Sequence, residues 1–421
     1  MSFSSNYNYS GSDNCPSKNS SPSGRSGGAF GIYIHIPFCK QACHYCDFHF
    51  STSLKKKDEL INALAKELVL RKDEFKNSNV ETIYFGGGTP SLLSIDELRF
   101  LIAEVYKHYE VAEHPEITIE ANPDDLITVT NMDVTLSAVE ATTQSIFKAY
   151  KSIGINRLSI GIQSFFEEDL KLMNRAHNAK EAQNCLEEAT KYFDNISIDL
   201  IYGIPGMSNE RWIQNIETAL SFNIPHISSY ALTVEPKTAL DTFIKKGIIE
   251  NVDDDLAQEQ FHILIEKLED NGFIHYELSN FGKPEYFSRN NSAYWQGKPY
   301  LGIGPSAHSF DGKHRGWNVR NNTKYIKSLE ENTIPIETET LSTTDQYNEY
   351  IMTGLRTIWG VSLKKVEDDF GPNYKAYLLQ HSQKHIIEHL LYLDDGKLLV
   401  TKKGKFLSDG IASDLFKINL S

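Results

Sequence analysis

The stretch GIYIHIPFCKQACHYC, Gly31 to Cys46, runs from a β-like segment straight into three cysteines, Cys39, Cys43 and Cys46. Five cysteines in 421 residues do not suggest a disulfide framework, and three of them within eight residues read as metal or cluster ligation in a reducing compartment. The C-x3-C-x2-C spacing lets one loop wrap three thiolates around one side of a metal centre and leaves one position open. A [4Fe–4S] cluster normally takes four cysteines, so a three-cysteine loop leaves one iron free for a small chelating molecule. The competing reading is a closed zinc site of the Cys3His type, completed by His35, His44 or His49. Cys15 stands alone near the N-terminus, and Cys185 lies in a helical stretch as a small core residue.

Outward from that loop, short β-like runs alternate with longer amphipathic stretches. After Gly31–Pro37 come Thr82–Phe85, Glu116–Glu120, Arg157–Ile162, Ile196–Ile201 and His226–Val234. Helical periodicity fills the gaps, as in Lys57–Phe75, Asp96–Tyr109 and Glu210–Phe222. Repeated βα units predict parallel strands with crossover helices, in either a barrel or a doubly wound sheet, and six units fall short of a full eight. Several strands end in polar or Gly-rich residues (GGGTP, EANPDD, GIQSF, DLIYGIP, TVEP), which gathers ligand groups at the carboxyl ends of the strands.

The flanking regions read differently. Residues 1–28 are rich in Ser, Asn and Gly and predict a disordered tail; residues 29–240 hold the βα units; the stretch between Asp125 and Lys148 reads as an insertion; and residues 241–340 read as a connecting region. From about Leu341 to Ser421 the pattern is helices, then a hairpin around Asp395-Gly396, then a short helix, a winged-helix-like arrangement. Its 10 Lys and Arg balance 10 Asp and Glu, so no basic stripe supports nucleic-acid binding and a packing or lid role is expected. The whole chain carries a net charge of -14, which disfavours non-specific attraction to nucleic acid or anionic membrane. No long apolar run predicts a membrane span, no signal peptide is evident, and a cytoplasmic location is expected.

Seven collinear segments carry a resemblance: YIHIPFCKQACHYC, YFGGGTP, TIEANP, RLSIGIQSF, DLIYGIPG, YALTVEP and YLGIGPSAHS. With them the chain resembles the radical S-adenosylmethionine (SAM) superfamily, in its coproporphyrinogen III oxidase-like branch. The resemblance implies a partial (β/α)6 barrel followed by a small helical, winged-helix-like C-terminal domain, with a [4Fe–4S] cluster on Cys39, Cys43 and Cys46 and SAM chelating the open iron. One electron from the cluster would then cleave SAM to methionine and a 5′-deoxyadenosyl radical. Gly87, Gly88 and Thr89 are expected at the methionine end of SAM, where missing side chains admit the backbone. Glu120 and Gln163 are expected at the ribose hydroxyls, and Arg175 at the carboxylate. Asp199 and the backbone at Ala231 follow by motif position, and Tyr33 and Tyr45 as aromatics flanking the loop; Tyr45, Gly88 and Thr89 are also candidates for facing a second SAM.

Two sub-branches share these motifs. Decarboxylating oxidases extend the loop to C-x3-C-x2-C-x-C and carry a substrate-contacting segment before the first strand, whereas this chain has Phe48 at the fourth position and no such segment. Those departures resemble the HemW-type heme chaperones, which bind heme as cargo for an acceptor protein. That implies heme, a heme-acceptor protein and an electron donor as partners, with oxidative decarboxylation as the alternative function and a structural zinc or iron–sulfur interaction protein as a third. The HemW motif H-N-x-x-Y-W reads here from Asn290 to Trp295 with Asn290 in place of His, which leaves His275 and His308 as candidate axial ligands and Tyr294 and Trp295 as packing for a porphyrin face.

Overall fold

In the computed structural model the described residues are 28–127 and 145–418. The expected disordered tail, apart from Gly28, and most of the expected insertion therefore lie outside them. The six βα runs form β1 (Ala29–Ile36), β2 (Asn79–Gly87), β3 (Val111–Ala121), β4 (Arg157–Gln163), β5 (Ile196–Tyr202) and β6 (His226–Ala231). They pair parallel in strict chain order. A doubly wound sheet reverses its strand order at a switch point, and this one does not. Right-handed crossovers between successive neighbours place their helices on one face and leave the other concave, the partial-barrel alternative.

Strand alternation sorts the side chains onto those faces. Ile117 and Ile119, Leu158, Ile160 and Ile162, and Ile196, Ile198 and Leu200 are buried in the main hydrophobic core. Between them Thr118 and Glu120, Ser159, Gly161 and Gln163, and Ser197 and Asp199 take the opposite face, where they line internal cavities. The helix Lys57–Leu70 buries Leu60, Leu64 and Leu68 at four-residue spacing, one stripe against the sheet. The helix Ile95–His108 starts at a capping box of Ser94 and Glu97, which fixes where the chain turns back after β2.

Residues 241–340 supply six further strands to the same sheet: β7 (Ile274–Glu277), β8 (Asn280–Gly282), β9 (Tyr300–Ile303), β10 (His308–Phe310), β11 (His314–Asn318) and β12 (Ile336–Thr340). β9 lies parallel on β1 and leads to antiparallel β10, β11 and β12, while β8 and β7 extend the other edge from β6. Beyond Leu341 the helices Thr343–Leu355, Leu363–Phe370 and Pro372–Ile387 pack with β13 (Val361–Ser362), β14 (Leu391–Asp394) and β15 (Lys397–Val400) around a separate core that includes Tyr347, Ile351, Leu378 and Leu398. Asp395 and Gly396 both adopt positive φ, as a two-residue hairpin turn requires. The first of these helices stops at Leu355, and beyond it Ile358 donates its amide to the Tyr276 carbonyl on β7 at 3.1 Å.

A candidate cofactor site at the strand ends

The chain leaves β1 at Ile36 and returns at Ser51, whose amide donates to the Pro37 carbonyl at 2.8 Å while its carbonyl accepts from the Cys39 amide at 3.1 Å. Across the loop, the His44 amide donates to Met173 O at 3.1 Å and His44 O accepts from the Leu240 amide at 2.8 Å. The loop so held closes one side of a cavity of about 510 Å³ at the carboxyl ends of the strands. Cys39, Cys43, Cys46 and Tyr45 line it from the loop, Gly87, Gly88 and Thr89 from the end of β2, and Glu120, Gln163, Arg175, Asp199 and Ala231 from beyond. Of the residues expected at a cofactor, Tyr33 is not among those lining it: its hydroxyl pairs with His35 Nδ1 at 3.1 Å and its ring packs on Tyr84.

The three thiols are free and partly exposed. Burial pushes the Cys39 thiol up to about 11, so it is not a free nucleophile at neutral pH, whereas a coordinating metal deprotonates a thiol outright. The histidines that would close a zinc site stand outside the cavity. His35 Nε2 pairs with His49 O, His44 Nδ1 with Leu172 O, and His49 Nε2 with Asn322 Oδ1, and none of the three lines the cavity. Among the described residues no His, Cys, Asp and Glu group of three or more is gathered for a single ion. A four-iron cluster places each thiolate on a different iron and takes a wider set.

Arg175 crosses the site. Its Nη1 donates to Cys43 Sγ at 3.3 Å and its Nη2 to Asn122 Oδ1 at 2.7 Å and Gly161 O at 3.0 Å, while its buried Nε has no partner. A guanidinium with one N–H unanswered suits a carboxylate arriving in the cavity. At the far side Glu120 accepts from the Tyr84 hydroxyl at 2.8 Å and the Gly87 amide at 3.0 Å. Burial raises its carboxyl to about 7 and that of Asp199 to about 6, with the mutual repulsion of the two adding to the Glu120 shift. Gln163 ends β4 at φ 67°, a left-handed conformation that costs a non-glycine residue energy and re-aims its side chain.

The glycines have a reason beyond room for a ligand. A Cβ on Gly88 would lie 2.5 Å from Phe38 O and 2.8 Å from Ile36 O, and one on Gly87 2.5 Å from the His35 ring. The turn after β2 thus packs directly beneath the root of the cysteine loop. Sequence reasoning assigned no role to Asn122, Ser159 or Tyr230, which also line the cavity. Their signal was available: Thr118, Glu120 and Asn122, and Ser159, Gly161 and Gln163, recur at a period of two in strands whose other faces are aliphatic.

The heme-ligand candidates separate. Asn290 is 4% exposed, accepts from the Thr82 hydroxyl at 3.0 Å and faces Gly31. It is therefore five residues, roughly 16 Å of strand, from Ile36, where the cysteine loop begins. His275 is buried, with Nδ1 on Lys405 Nζ and Nε2 on Leu278 O. His308 is exposed beside Trp317, and among the described residues its ring has no hydrogen-bond partner. Tyr294 packs edge-on against Tyr300, and Trp295 carries the Arg356 guanidinium over its ring at 5.1 Å.

Comparison with known proteins agrees with this fold. Residues 33–219 match the radical SAM superfamily model and residues 341–407 the HemN C-terminal domain model. The heme chaperone HemW of Bacillus subtilis (strain 168) is 34% identical over 90% of this chain and 97% of its own length. That of Mycobacterium tuberculosis (strain ATCC 25618 / H37Rv) is 31% identical over 92% and 95%. The solved structure of coproporphyrinogen III oxidase (HemN) from Escherichia coli superposes with a TM-score of 0.78 over 93% of this chain and 91% of that one, at 22% identity, a likeness of fold.

Proposed function

This chain belongs to the HemW-like family of radical SAM proteins, and from that membership we propose that it holds a [4Fe–4S] cluster on Cys39, Cys43 and Cys46, binds SAM beside it, and carries heme for delivery to an acceptor protein. The observation that carries the reading is Arg175. One guanidinium touches Cys43 Sγ and keeps a buried Nε unanswered, so it spans the cluster loop and the space where the SAM carboxylate would neutralise it. When bound, the cluster supplies one electron to the SAM sulfonium; an external donor must replace it.

The chain's own groups do the rest. Thr89 donates its hydroxyl to Cys39, and the glycine turn holds the loop against the sheet. Glu120 and Asp199 take the ribose hydroxyls as acceptors. Phe48 stands where the oxidase branch has a fourth cysteine and is 70% exposed at the cavity, an apolar surface next to the site. For heme, His308 is the accessible candidate ligand, and a histidine at position 290 would meet heme iron only if the helix Arg289–Trp295 moved.

One anaerobically reconstituted sample tests the reading. About four irons per chain with the cluster's visible absorbance, saturable heme binding lost in His308→Ala, and no turnover of coproporphyrinogen III are expected. Iron-free protein would sink the cluster; efficient decarboxylation with SAM and a reductant would replace the chaperone function by the oxidase.

A further inference from the structure

The C-terminal domain docks on the β7 edge of the sheet around a second cavity, of about 250 Å³, which shares no residue with the first. His275 and Glu277 line it from β7, and Arg356, Lys402, Lys405 and Ser408 from the other side. Most of these charges are answered. Arg356 holds both carboxylate oxygens of Asp409, at 2.6 and 2.8 Å, and approaches Glu277 at 3.4 Å. Lys402 pairs with Glu269 at 3.2 Å.

Lys405 is not answered. Among the described residues no carboxylate lies within ion-pair distance of its ammonium, which donates to His275 Nδ1 at 2.7 Å. His275 gives its Nε2–H to Leu278 O at 2.9 Å, so the imidazole is neutral and offsets no charge. Burial lowers the Lys405 ammonium to about 8, a fall that the Glu269 carboxylate opposes and the neighbouring Lys402 adds to. Ser408, 1% exposed, adds a hydroxyl with no hydrogen-bond partner. With Arg356 and Lys402 paired, the cavity keeps one cation without a carboxylate in contact, Lys405, and one buried donor to spare, Ser408. Water alone would satisfy Ser408 but would bring no charge to Lys405.

We propose that this cavity binds a small oxyanion, a phosphate or carboxylate group, with Lys405 as its counter-charge and Ser408 as a hydroxyl donor. At roughly 30 Å³ per water-sized body the space exceeds a bare anion, so a metabolite bearing that group fits. Because the lining comes from β7 and from the C-terminal domain, an occupant fastens the two together.

Calorimetric titration of inorganic phosphate, and separately of succinate, into the reconstituted full-length protein at constant ionic strength is the test. Saturable binding is expected for at least one of them, at least tenfold weaker in Lys405→Met, several-fold weaker in Ser408→Ala and retained in Lys405→Arg. Preference for phosphate over succinate assigns the group as phosphate, and the reverse as carboxylate. No saturable heat with either up to about 10 mM, or equal affinity in wild type and Ser408→Ala, overturns the proposal. Should Lys405→Met not fold, the Ser408→Ala and Lys405→Arg pair decides alone.

Discussion

Glu67 sits fully buried on the helix Lys57–Leu70 and accepts from Arg71, the Gly304 amide, Asn318 and the Tyr325 hydroxyl, joining that helix to the β9 end of the sheet. Glu67→Ala leaves Arg71 and three further donors without their acceptor, and a loss of about 3–5 kcal/mol in chemical denaturation is expected. Nothing in the sequence marks it, because a glutamate in an amphipathic helix reads as surface until three of its four partners, more than two hundred residues away, are in place. The cysteines and Glu120 were legible: their types at strand ends carry chemistry that few other residues supply. Each of Cys39→Ala, Cys43→Ala and Cys46→Ala is expected to lose iron and visible absorbance on reconstitution, with Cys15→Ala and Cys185→Ala unchanged. Glu120 also sets a pH dependence. Its folded carboxyl, at about 7, lies above the ordinary 4.5, so its contribution to stability is complete below about pH 4.5 and lost as pH rises through 7. Denaturation midpoints of the unloaded protein are therefore expected to fall across that window, and Glu120→Gln to flatten the fall.

At the level of elements, the six parallel strands were legible as β-like runs, and their order was not: barrel and doubly wound sheet share the same run of βα units, and pairing alone separates them. Edges shifted for local reasons. β3 starts at Val111, ahead of Glu116, because Val111 pairs with Val80 across a bulge. The turn after β2 was legible as a glycine-rich strand end, and Gly87 and Gly88 do line the cavity, but its packing under Phe38 was not legible, since that contact depends on how β1 and β2 register. Gly88→Ala is expected to displace the cysteine loop by forcing a Cβ against backbone oxygen. The measurable result is reduced iron retention with far-UV circular dichroism unchanged.

For the molecule as a whole, the sheet extends past the six-stranded unit at both edges, and residues 241–340 do the extending. No sequence period announces this, because those strands are three to five residues long, and all but β9, which lies parallel on β1, pair antiparallel. The C-terminal domain was legible by its helices and its Asp395-Gly396 hairpin, while its seat was not. Arg356 joins Asp409, Glu277 and the Trp295 face across that seat. Arg356→Ala, which leaves buried Glu277 less compensated, is expected to cost about 2 kcal/mol and to raise amide hydrogen exchange at β7. None of the helices among the described residues is long and apolar enough to cross a membrane.

The cysteine loop is tied at Pro37, Ser51, Met173 and Leu240 by backbone hydrogen bonds that involve no sulfur. Cutting a thiol back to a methyl group therefore leaves all four ties in place. A cysteine variant keeps the path of the loop while losing what the loop can grip, which makes it a faithful blank against which any property of the native loop can be read.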